Sequence, residues 1–418
     1  MLDALTPCVL RTFNCEKGDS KKLAPLNFID KLSKGSFMIN KCYGYGETMA
    51  SNSAMITGLD SGTLKSDMLP HPDSFHQHPT LAYYFKKYGF HTVFYRNFSI
   101  DGLRRRGPYR RFNALASSAF DHVCLEDDSS KLFRDSKIIK RQDDFFYIKN
   151  KHSTFIFIHD LAFHDDSKVL KSATMKSILT AIKEKSERVR KNLEYLNYDK
   201  KKDVLIFSSD HGMTLSPYDD MFYDKKISAG KMDAYWPKLT TDFKLRTCFF
   251  IRGPGITPGN AIGNFEIRDM FATALDFLHI KCAPTGAISA KRHTRTSALV
   301  SVAGAPFERV ALNALKKWFH SYVIYVKDSK KWIYRKLGKA RCYCIDLNLD
   351  PDENNPVDVT FSEFPLEFRK HINQYFSASR FLYRTLYALH PKRFIVYFVE
   401  ESYLKFEKLY NSIAKKYL

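Results

Sequence analysis

The sequence lacks several features that would place it in a specialised class of protein. No apolar run approaches the roughly 18 residues that cross a bilayer, and the first residues do not combine a charged start, an apolar segment and a small-residue cleavage site. The eight cysteines form no CxxC pair, and no segment repeats at a fixed period. These absences argue against a transmembrane helix, a secretion signal, a structural zinc site and a repeat array.

Positive charge and aromatic side chains, in contrast, are abundant. Lys and Arg total 66 against 45 Asp and Glu, which gives a net charge of +21, and 15% of the 418 residues are aromatic. The apolar content of 44% excludes a disordered chain. A basic surface attracts phospholipid headgroups, acidic glycans, phosphodiesters and anionic membrane surfaces. No helix-turn-helix, RNA-recognition or zinc-finger signature is present, so nucleic acid is not the expected partner, and nothing indicates the oligomeric state.

Alternating strand and helix signals predict an α/β fold. We expect a three-layer sandwich with a mostly parallel central sheet over residues 1–304. Short strands separated by turns predict a small antiparallel subdomain over 305–360, and the basic, aromatic residues 361–418 predict a helical tail. The strand segments on which the first prediction depends are 91–95, 155–158, 204–207 and 248–251.

The sharpest local signal follows one of these strands, in the sequence Ser-Ser-Asp-His-Gly at 208–212. A carboxylate and an imidazole at the carboxyl end of a parallel strand project into the crevice where open α/β sheets bind ligands. The oxygen and nitrogen donors of Asp210 and His211 suit zinc or manganese, although an Asp-His pair also commonly caps a helix. Asp3, after the first apolar residues, is a further candidate ligand, and an exposed turn is the more common setting for such an Asp.

A glycine turn followed by a helix start is the second signal, over residues 46–58. It presents the hydroxyl of Thr48 at the amino terminus of the predicted helix. Free N–H groups and the helix dipole stabilise a phosphate or sulfate there. The alternative is that Thr48 only caps the helix.

In combination, these segments resemble the alkaline phosphatase superfamily, and within it the sulfatases and the metal-dependent phosphoethanolamine and phosphoglycerol transferases. The resemblance is collinear over about residues 1–356. Residues 48–58 match the segment that carries the nucleophile, and 210–212 match the metal-binding motif. Residues 246–255 resemble a strand ending in Arg-Gly-Pro-Gly, and 345–355 resemble the closing Asp-Leu, Asp-Pro, Glu and Asn signature.

The resemblance implies a one-metal site and an adjacent substrate pocket. The implied metal is zinc or manganese, with calcium or magnesium as alternatives. Thr48 is implied as the nucleophile and His164 as the catalytic residue near the leaving group or the phosphate, while a purely structural histidine is the rival explanation at His164 and His159. The implied metal ligands are Asp3, Thr48, Asp210 and His211. The implied substrate-binding residues are Arg96, His159 and Arg246.

One departure from the pattern separates the subfamilies. Sulfatases carry a Cys or Ser that is oxidised to formylglycine, with Pro two positions on and Arg four positions on, whereas this sequence has Thr48, Ala50 and Asn52. Threonine cannot yield that aldehyde, so we predict a metal-dependent phosphoryl-group hydrolase or transferase, of phosphodiester, phosphoethanolamine or phosphoglycerol type. The alternatives are a sulfatase-like sulfuric ester hydrolase and a basic polyanion-binding protein with a vestigial site.

The predicted location depends on the true start of the chain. As written, the chain carries no export signal, which predicts a cytoplasmic protein. Only two residues precede Asp3, whereas the resemblance implies a first strand that begins earlier and, in the transferases, follows membrane helices or an anchor. A truncated amino terminus therefore predicts a membrane-anchored, extracytoplasmic domain.

Overall fold

The structure is a computed structural model. Its description below covers three β-sheets and seven α-helices. The residues it describes are 1, 5–7, 10–13, 26–46, 48–60, 79–96, 119–125, 137–139, 149–159, 175–212, 240–302, 321–337, 339–351, 353 and 355–374. The strands are β1 (Phe37–Tyr43), β2 (His91–Arg96), β3 (His122–Leu125), β4 (Lys137–Ile139), β5 (Thr154–His159), β6 (Leu205–Ser208), β7 (Arg246–Arg252), β8 (Gly259–Ala261), β9 (Phe265–Glu266), β10 (Ser297–Val302), β11 (Ser321–Lys327), β12 (Lys330–Leu337), β13 (Lys339–Asp346) and β14 (Val357–Asp358). The helices are α1 (Phe28–Ser33), α2 (Thr48–Thr57), α3 (Leu81–Lys87), α4 (Met175–Tyr195), α5 (Asp242–Leu245), α6 (Asp269–Phe277) and α7 (366–374).

The first sheet has the order β6-β7-β1-β8, with β9 also paired to β1. Strand β7 runs antiparallel to both β6 and β1, whereas β8 and β9 run parallel to β1. Six of the seven residues of β7 are buried, as expected of a strand that is covered on both faces.

Helices cover both faces of this sheet. Along β7, Cys248 and Phe250 join the core cluster that includes residues of α1 and α4, whereas Phe249 and Ile251 join the cluster that includes residues of α2 and α6. Successive side chains of a strand point to opposite faces, so the sheet lies between two helical layers. The predicted three-layer α/β arrangement is confirmed.

The second sheet is entirely parallel, in the order β4-β3-β2-β5. The last residues of two neighbouring strands, Arg96 of β2 and His159 of the edge strand β5, are paired in register. The carboxyl ends of these two strands therefore lie side by side, at the edge of a parallel sheet where ligands bind in open α/β folds.

The third sheet is an antiparallel meander of β10 to β14, which confirms the small antiparallel sheet predicted near the carboxyl end. Its first strand, Ser297–Val302, precedes residue 305, and the bounds 1–304, 305–360 and 361–418 stay predictions. Aromatic rings join α7 to this sheet, because the rings of Tyr325 and Phe368 stack with their centroids 5.4 Å apart. Of the predicted helical tail, residues 375–418 lie outside the described residues.

A buried charge cluster attaches this third sheet to the first. Arg295, just before β10, contacts Glu266 of β9 at 2.8 Å and Asp269 of α6 at 2.8 Å. Burial raises the pKa of Asp269 to about 6, although the Arg295 guanidinium opposes this shift. The backbone N–H of Leu299 in β10 also donates to Glu266. Both sheets therefore share the same buried carboxylate.

The longest helix in the described part of the chain, α4, has 21 residues and carries many charges. No helix among the described residues is both long enough and apolar enough to cross a membrane.

We expect Phe250→Ala to lower the free energy of unfolding by about 3–5 kcal/mol, because it opens a cavity in a fully buried layer. The Phe250 ring stacks on Phe207 with centroids 4.7 Å apart. The control is Leu349→Ala at a side chain that is 86% exposed, where we expect a change below about 0.5 kcal/mol. Urea unfolding measures both variants, and equal midpoints for the two would contradict the assigned core.

Candidate active site

Two loops meet beside the first sheet. One follows β6 and carries Asp210 and His211, and the other follows β1 and leads through Gly44 to α2, which begins at Thr48. A Cβ atom on Gly44 would lie only 2.2 Å from the backbone oxygen of Asp210, so the two backbones are in direct contact. The structure therefore places the turn that leads into α2 against the Asp-His loop, and the convergence of Thr48 with Asp210 and His211 stays a prediction.

Two side-chain contacts fix α2 in this position. The backbone N–H of Tyr45 donates to the hydroxyl of Ser51 at 2.9 Å, which ties the glycine turn to the first turns of the helix. The hydroxyl of Ser208, the last residue of β6, donates to the sulfur of Met55 at 3.1 Å. The helix is thus held against the strand that carries the Asp-His pair. Thr48 is its first residue, but the Thr48 side chain lies outside what the structure describes.

Asp210 and His211 are both buried, at 0% and 4% exposure. The backbone N–H of His211 donates to Oδ1 of Asp210 at 2.8 Å. Nδ1 of His211 lies 2.7 Å from the carbonyl oxygen of Gly212. When Nδ1 carries the proton it donates to that carbonyl, and the lone pair is then on Nε2, only 3.5 Å from Oδ2 of Asp210.

The distance between Nε2 of His211 and Oδ2 of Asp210 fits two ligands of one divalent metal. Two ligands about 2.1 Å from one tetrahedral ion lie about 3.4 Å apart, close to the observed 3.5 Å between Nε2 and Oδ2. A metal-binding histidine usually donates a hydrogen bond from its other ring nitrogen, often to a backbone carbonyl, and this bond orients the imidazole. Within the described ranges no cluster of three or more His, Cys, Asp or Glu side chains forms a metal site. Asp3, the other predicted carboxylate ligand, lies outside those ranges.

Lys244 is a site residue that the sequence analysis missed. Its ammonium lies 3.1 Å from Nδ1 of His211, and its backbone oxygen accepts from the N–H of Gly212 at 2.8 Å. A protonated Nδ1 donates to Gly212, whereas an unprotonated Nδ1 accepts from Lys244, so the two contacts of this nitrogen exclude each other. The sequence offers one signal only, a lysine two residues before the start of a buried strand.

The predicted substrate residues have different surroundings. His159 is 4% exposed and ends β5 beside Arg96, whose side chain is not among those described, and His164 lies outside the described residues. Arg246 is 7% exposed, and its guanidinium donates to the backbone oxygen of Asn40 in β1. The structure thus gives Arg246 a contact within the first sheet, and its role toward substrate stays a prediction.

Comparison with known proteins agrees with this architecture. The family model described as Sulfatase matches residues 17–280, which is well over half of the chain. The chain therefore belongs to the sulfatase family. It is a sulfatase-like hydrolase within the alkaline phosphatase superfamily, and the predicted superfamily is confirmed. Members of this superfamily generally depend on a divalent metal.

Solved structures support the fold. An alkaline phosphatase superfamily protein from Vibrio parahaemolyticus is 14% identical with a TM-score of 0.56, and covers 93% of this chain and 86% of its own. The phosphonate monoester hydrolase of Agrobacterium radiobacter is 11% identical with a TM-score of 0.51, covering 92% and 95%. A Bacteroides thetaiotaomicron protein from a study of glycosaminoglycan metabolism is 12% identical with a TM-score of 0.53, covering 92% and 95%. No curated protein matches the sequence significantly.

We expect Gly212→Ala to disrupt the site, because its Cβ would lie 1.9 Å from the backbone oxygen of Phe243. Backbone atoms cannot rotate away as a side chain can, so the free energy of unfolding should fall by about 1–3 kcal/mol or more, with loss of activity. Gly259→Ala is the matched control, since its nearest neighbour is 3.5 Å away. Urea unfolding gives both values, and a Gly212→Ala variant as stable as the control would rule out this close contact.

Proposed function

We propose that the protein cleaves or transfers a phosphoryl-linked group, with Thr48 as the nucleophile. The observation that carries the proposal is the contact between the Gly44 turn, which leads into α2, and the backbone of Asp210. A nucleophile at a helix start next to two metal-type ligands is the arrangement that this chemistry needs.

The residue at position 48 favours phosphoryl over sulfuryl chemistry. Sulfatase chemistry uses an aldehyde made from Cys or Ser, and threonine cannot form it, whereas a threonine hydroxyl can attack phosphorus directly. Hydrolysis of a sulfuric ester is the second candidate, because the family model is that of the sulfatases. A third possibility from the sequence, polyanion binding at a vestigial site, rests on the net charge of +21 alone.

We propose that Asp210 and His211 hold a divalent ion, zinc or manganese, together with Asp3 and Thr48. When bound, the ion lowers the pKa of the hydroxyl and offsets charge on the phosphoryl oxygens. Supporting this assignment, Nε2 of His211 and Oδ2 of Asp210 have the separation of two ligands on one metal.

The residues of the chain supply the rest of the proposed reaction. The hydroxyl of Thr48 gives up its proton to solvent and its oxygen forms a bond to phosphorus. The bond to the leaving oxygen breaks at the same time, and His164 gives that oxygen a proton. The free N–H groups at the start of α2 stabilise the phosphoryl oxygens. Water or an acceptor hydroxyl then attacks phosphorus and gives its proton to His164, while the bond from phosphorus to the Thr48 oxygen breaks and that oxygen regains a proton from solvent. Arg96 and His159, whose strands end side by side, are proposed to contact the anionic substrate.

The proposed substrate is an anionic ester, such as a phospholipid headgroup, an acidic glycan or another phosphodiester. Attraction of a chain with a net charge of +21 to an anionic membrane surface fits the first of these.

We expect the wild type to turn over a chromogenic phosphodiester faster than the matching sulfate ester, and Thr48→Ala to abolish turnover while metal binding remains. The reason is that the substitution removes the attacking oxygen, which is one of the four proposed ligands, but leaves Asp3, Asp210 and His211 to hold the ion. Thr57→Ser, at the other end of the same helix, is the control and should keep near-wild-type rates. Release of the chromophore measures turnover.

Other outcomes of that assay separate the candidates. Preference for the sulfate ester would favour the second candidate function. Salt-dependent binding of polyanions without turnover of either ester would favour the vestigial site. Undiminished phosphodiester turnover by Thr48→Ala would exclude Thr48 as the nucleophile.

We expect Asp210→Asn to lose both metal binding and turnover, because an amide is a weaker ligand than a carboxylate. Asp203→Asn is the control, since Asp203 lies before the other end of the same strand and contacts Lys149 at 3.0 Å. Titration with Mn²⁺ or Zn²⁺ in a calorimeter measures metal affinity directly. Equal affinity in the two variants would exclude Asp210 as a ligand.

A further inference from the structure

A single buried lysine joins the third sheet to the region of the candidate active site. Lys331 of β12 is 0% exposed, and its ammonium donates to the backbone oxygen of Thr240 at 3.1 Å and to both carboxylate oxygens of Glu353 at 2.9 Å. It also donates to the carboxylate of Asp242, the first residue of α5. An ammonium has three protons, so this group is saturated with acceptors.

The two carboxylates need this ammonium. Burial acts to raise the pKa of Asp242, but Lys331 and Arg246 outweigh burial and hold that pKa below its ordinary value. Burial raises the pKa of Glu353 to about 8, although Lys331 opposes the shift. Removal of Lys331 alone would leave the buried carboxylate of Glu353 facing the half-buried one of Asp242 without the ammonium that pairs with both, which is unfavourable.

Glu353 also contacts the backbone of the same segment. Its Oε1 accepts from the backbone N–H of Asp242 at 2.6 Å. The backbone oxygen of Thr240 and both the backbone and the side chain of Asp242 are therefore bound to residues of the carboxyl-terminal region. This fixes the position of α5, a helix of only four residues that has little stability of its own.

The far end of α5 holds both loops of the candidate active site. The backbone oxygen of Lys244 accepts from the N–H of Gly212 at 2.8 Å, and that of Leu245 accepts from the N–H of Gly44 at 2.7 Å. The Lys244 ammonium lies 3.1 Å from Nδ1 of His211. One short helix thus connects the loop of the Asp-His pair to the turn that precedes Thr48.

We propose that Lys331 is a positioning residue for the active site, acting through Asp242, Glu353 and α5. It holds α5 so that the Gly44 turn and the Gly212 loop keep the separation the reaction needs. The inference rests on the proposed function, since a positioning residue requires a reaction. Its geometric part is that Lys331 keeps the Gly44 turn and the Gly212 loop structurally ordered, and this part is testable without an activity assay.

The main test variant removes the charge cluster without leaving an unpaired charge. Lys331→Met, Asp242→Asn and Glu353→Gln are combined, because Lys331→Met alone exposes the two carboxylates to each other and risks unfolding. The matched control is Ile333→Ala, two residues along β12 and also 0% exposed, in the hydrophobic core. Thermal melting establishes that both variants fold and how far each is destabilised. Lys331→Arg tests rescue by another cation.

Amide hydrogen exchange is the first readout. In the triple variant we expect the N–H groups of Gly44 and Gly212 to exchange about tenfold faster or more than the change in global stability requires. The exchange rate of the Phe250 N–H, in the centre of the first sheet, should change only as much as global stability does. In Ile333→Ala we expect all three to change together, as global destabilisation alone requires. The same uniform change in the triple variant would overturn the proposal.

Mn²⁺ affinity and phosphodiester turnover are the second and third readouts. We expect the triple variant to lose about 10- to 100-fold in Mn²⁺ affinity or in kcat, as is typical when residues supporting a metal ligand are removed. We expect a substantial recovery in Lys331→Arg and little loss in Ile333→Ala. Affinity and kcat in the triple variant equal to those of Ile333→Ala would overturn the positioning role.

Failure of the proposed function gives a different result. A wild type that binds no Mn²⁺ and cleaves no ester refutes the proposed function and with it the positioning role. Amide exchange then still decides whether Lys331 orders the two loops.

Discussion

The contact on which the candidate active site depends is made by the backbone alone. Gly44 lies against the backbone oxygen of Asp210, Gly212 lies against that of Phe243, and both glycine N–H groups donate to carbonyls of α5. Any side chain at either position would push the loops apart. Main-chain packing therefore sets the distance between the Gly44 turn and the Asp-His pair, and the side-chain contacts of Ser51 and Met55 hold α2 beside them.

The sequence predicted four of the strands and the position of the Asp-His pair because their signals are local, whereas β1, the strand that pairs with β7, β8 and β9, was not predicted. Apolar runs at 91–95, 155–158, 204–207 and 248–251 coincide with β2, β5, β6 and β7 to within a few residues. Strands covered on both faces need such runs, and the polar residues that follow them mark the strand ends. Asp210 was identified for this reason. The antiparallel direction of β7 could not be predicted, because hydrophobic periodicity carries no information about strand direction.

The roles of the residues that hold the candidate site in place were not predicted, because the partners of these residues are distant in sequence. Lys331 lies in a strand with the local pattern Lys-Lys-Trp-Ile-Tyr-Arg, in which a lysine is normally assigned to solvent. Its burial depends on two carboxylates brought close by the fold. Lys244 has no motif at all. Glu353 belongs to a segment that resembles a family signature, but only the structure shows that its carboxylate contacts the backbone of Asp242.

Buried charge clusters join the third sheet to the first sheet and its helices. Arg295 with Glu266 and Asp269 is one such cluster, and Lys331 with Asp242 and Glu353 is the other. Buried ion pairs add little net stability compared with apolar packing, because desolvation offsets their attraction. They do fix relative positions strictly, since each misplaced partner leaves a charge unpaired. The third sheet is thus joined to the first by interactions that favour one geometry. One of the two clusters, that of Lys331, binds α5, and the carbonyls of α5 accept from the glycine N–H groups of the two loops that carry the proposed chemistry.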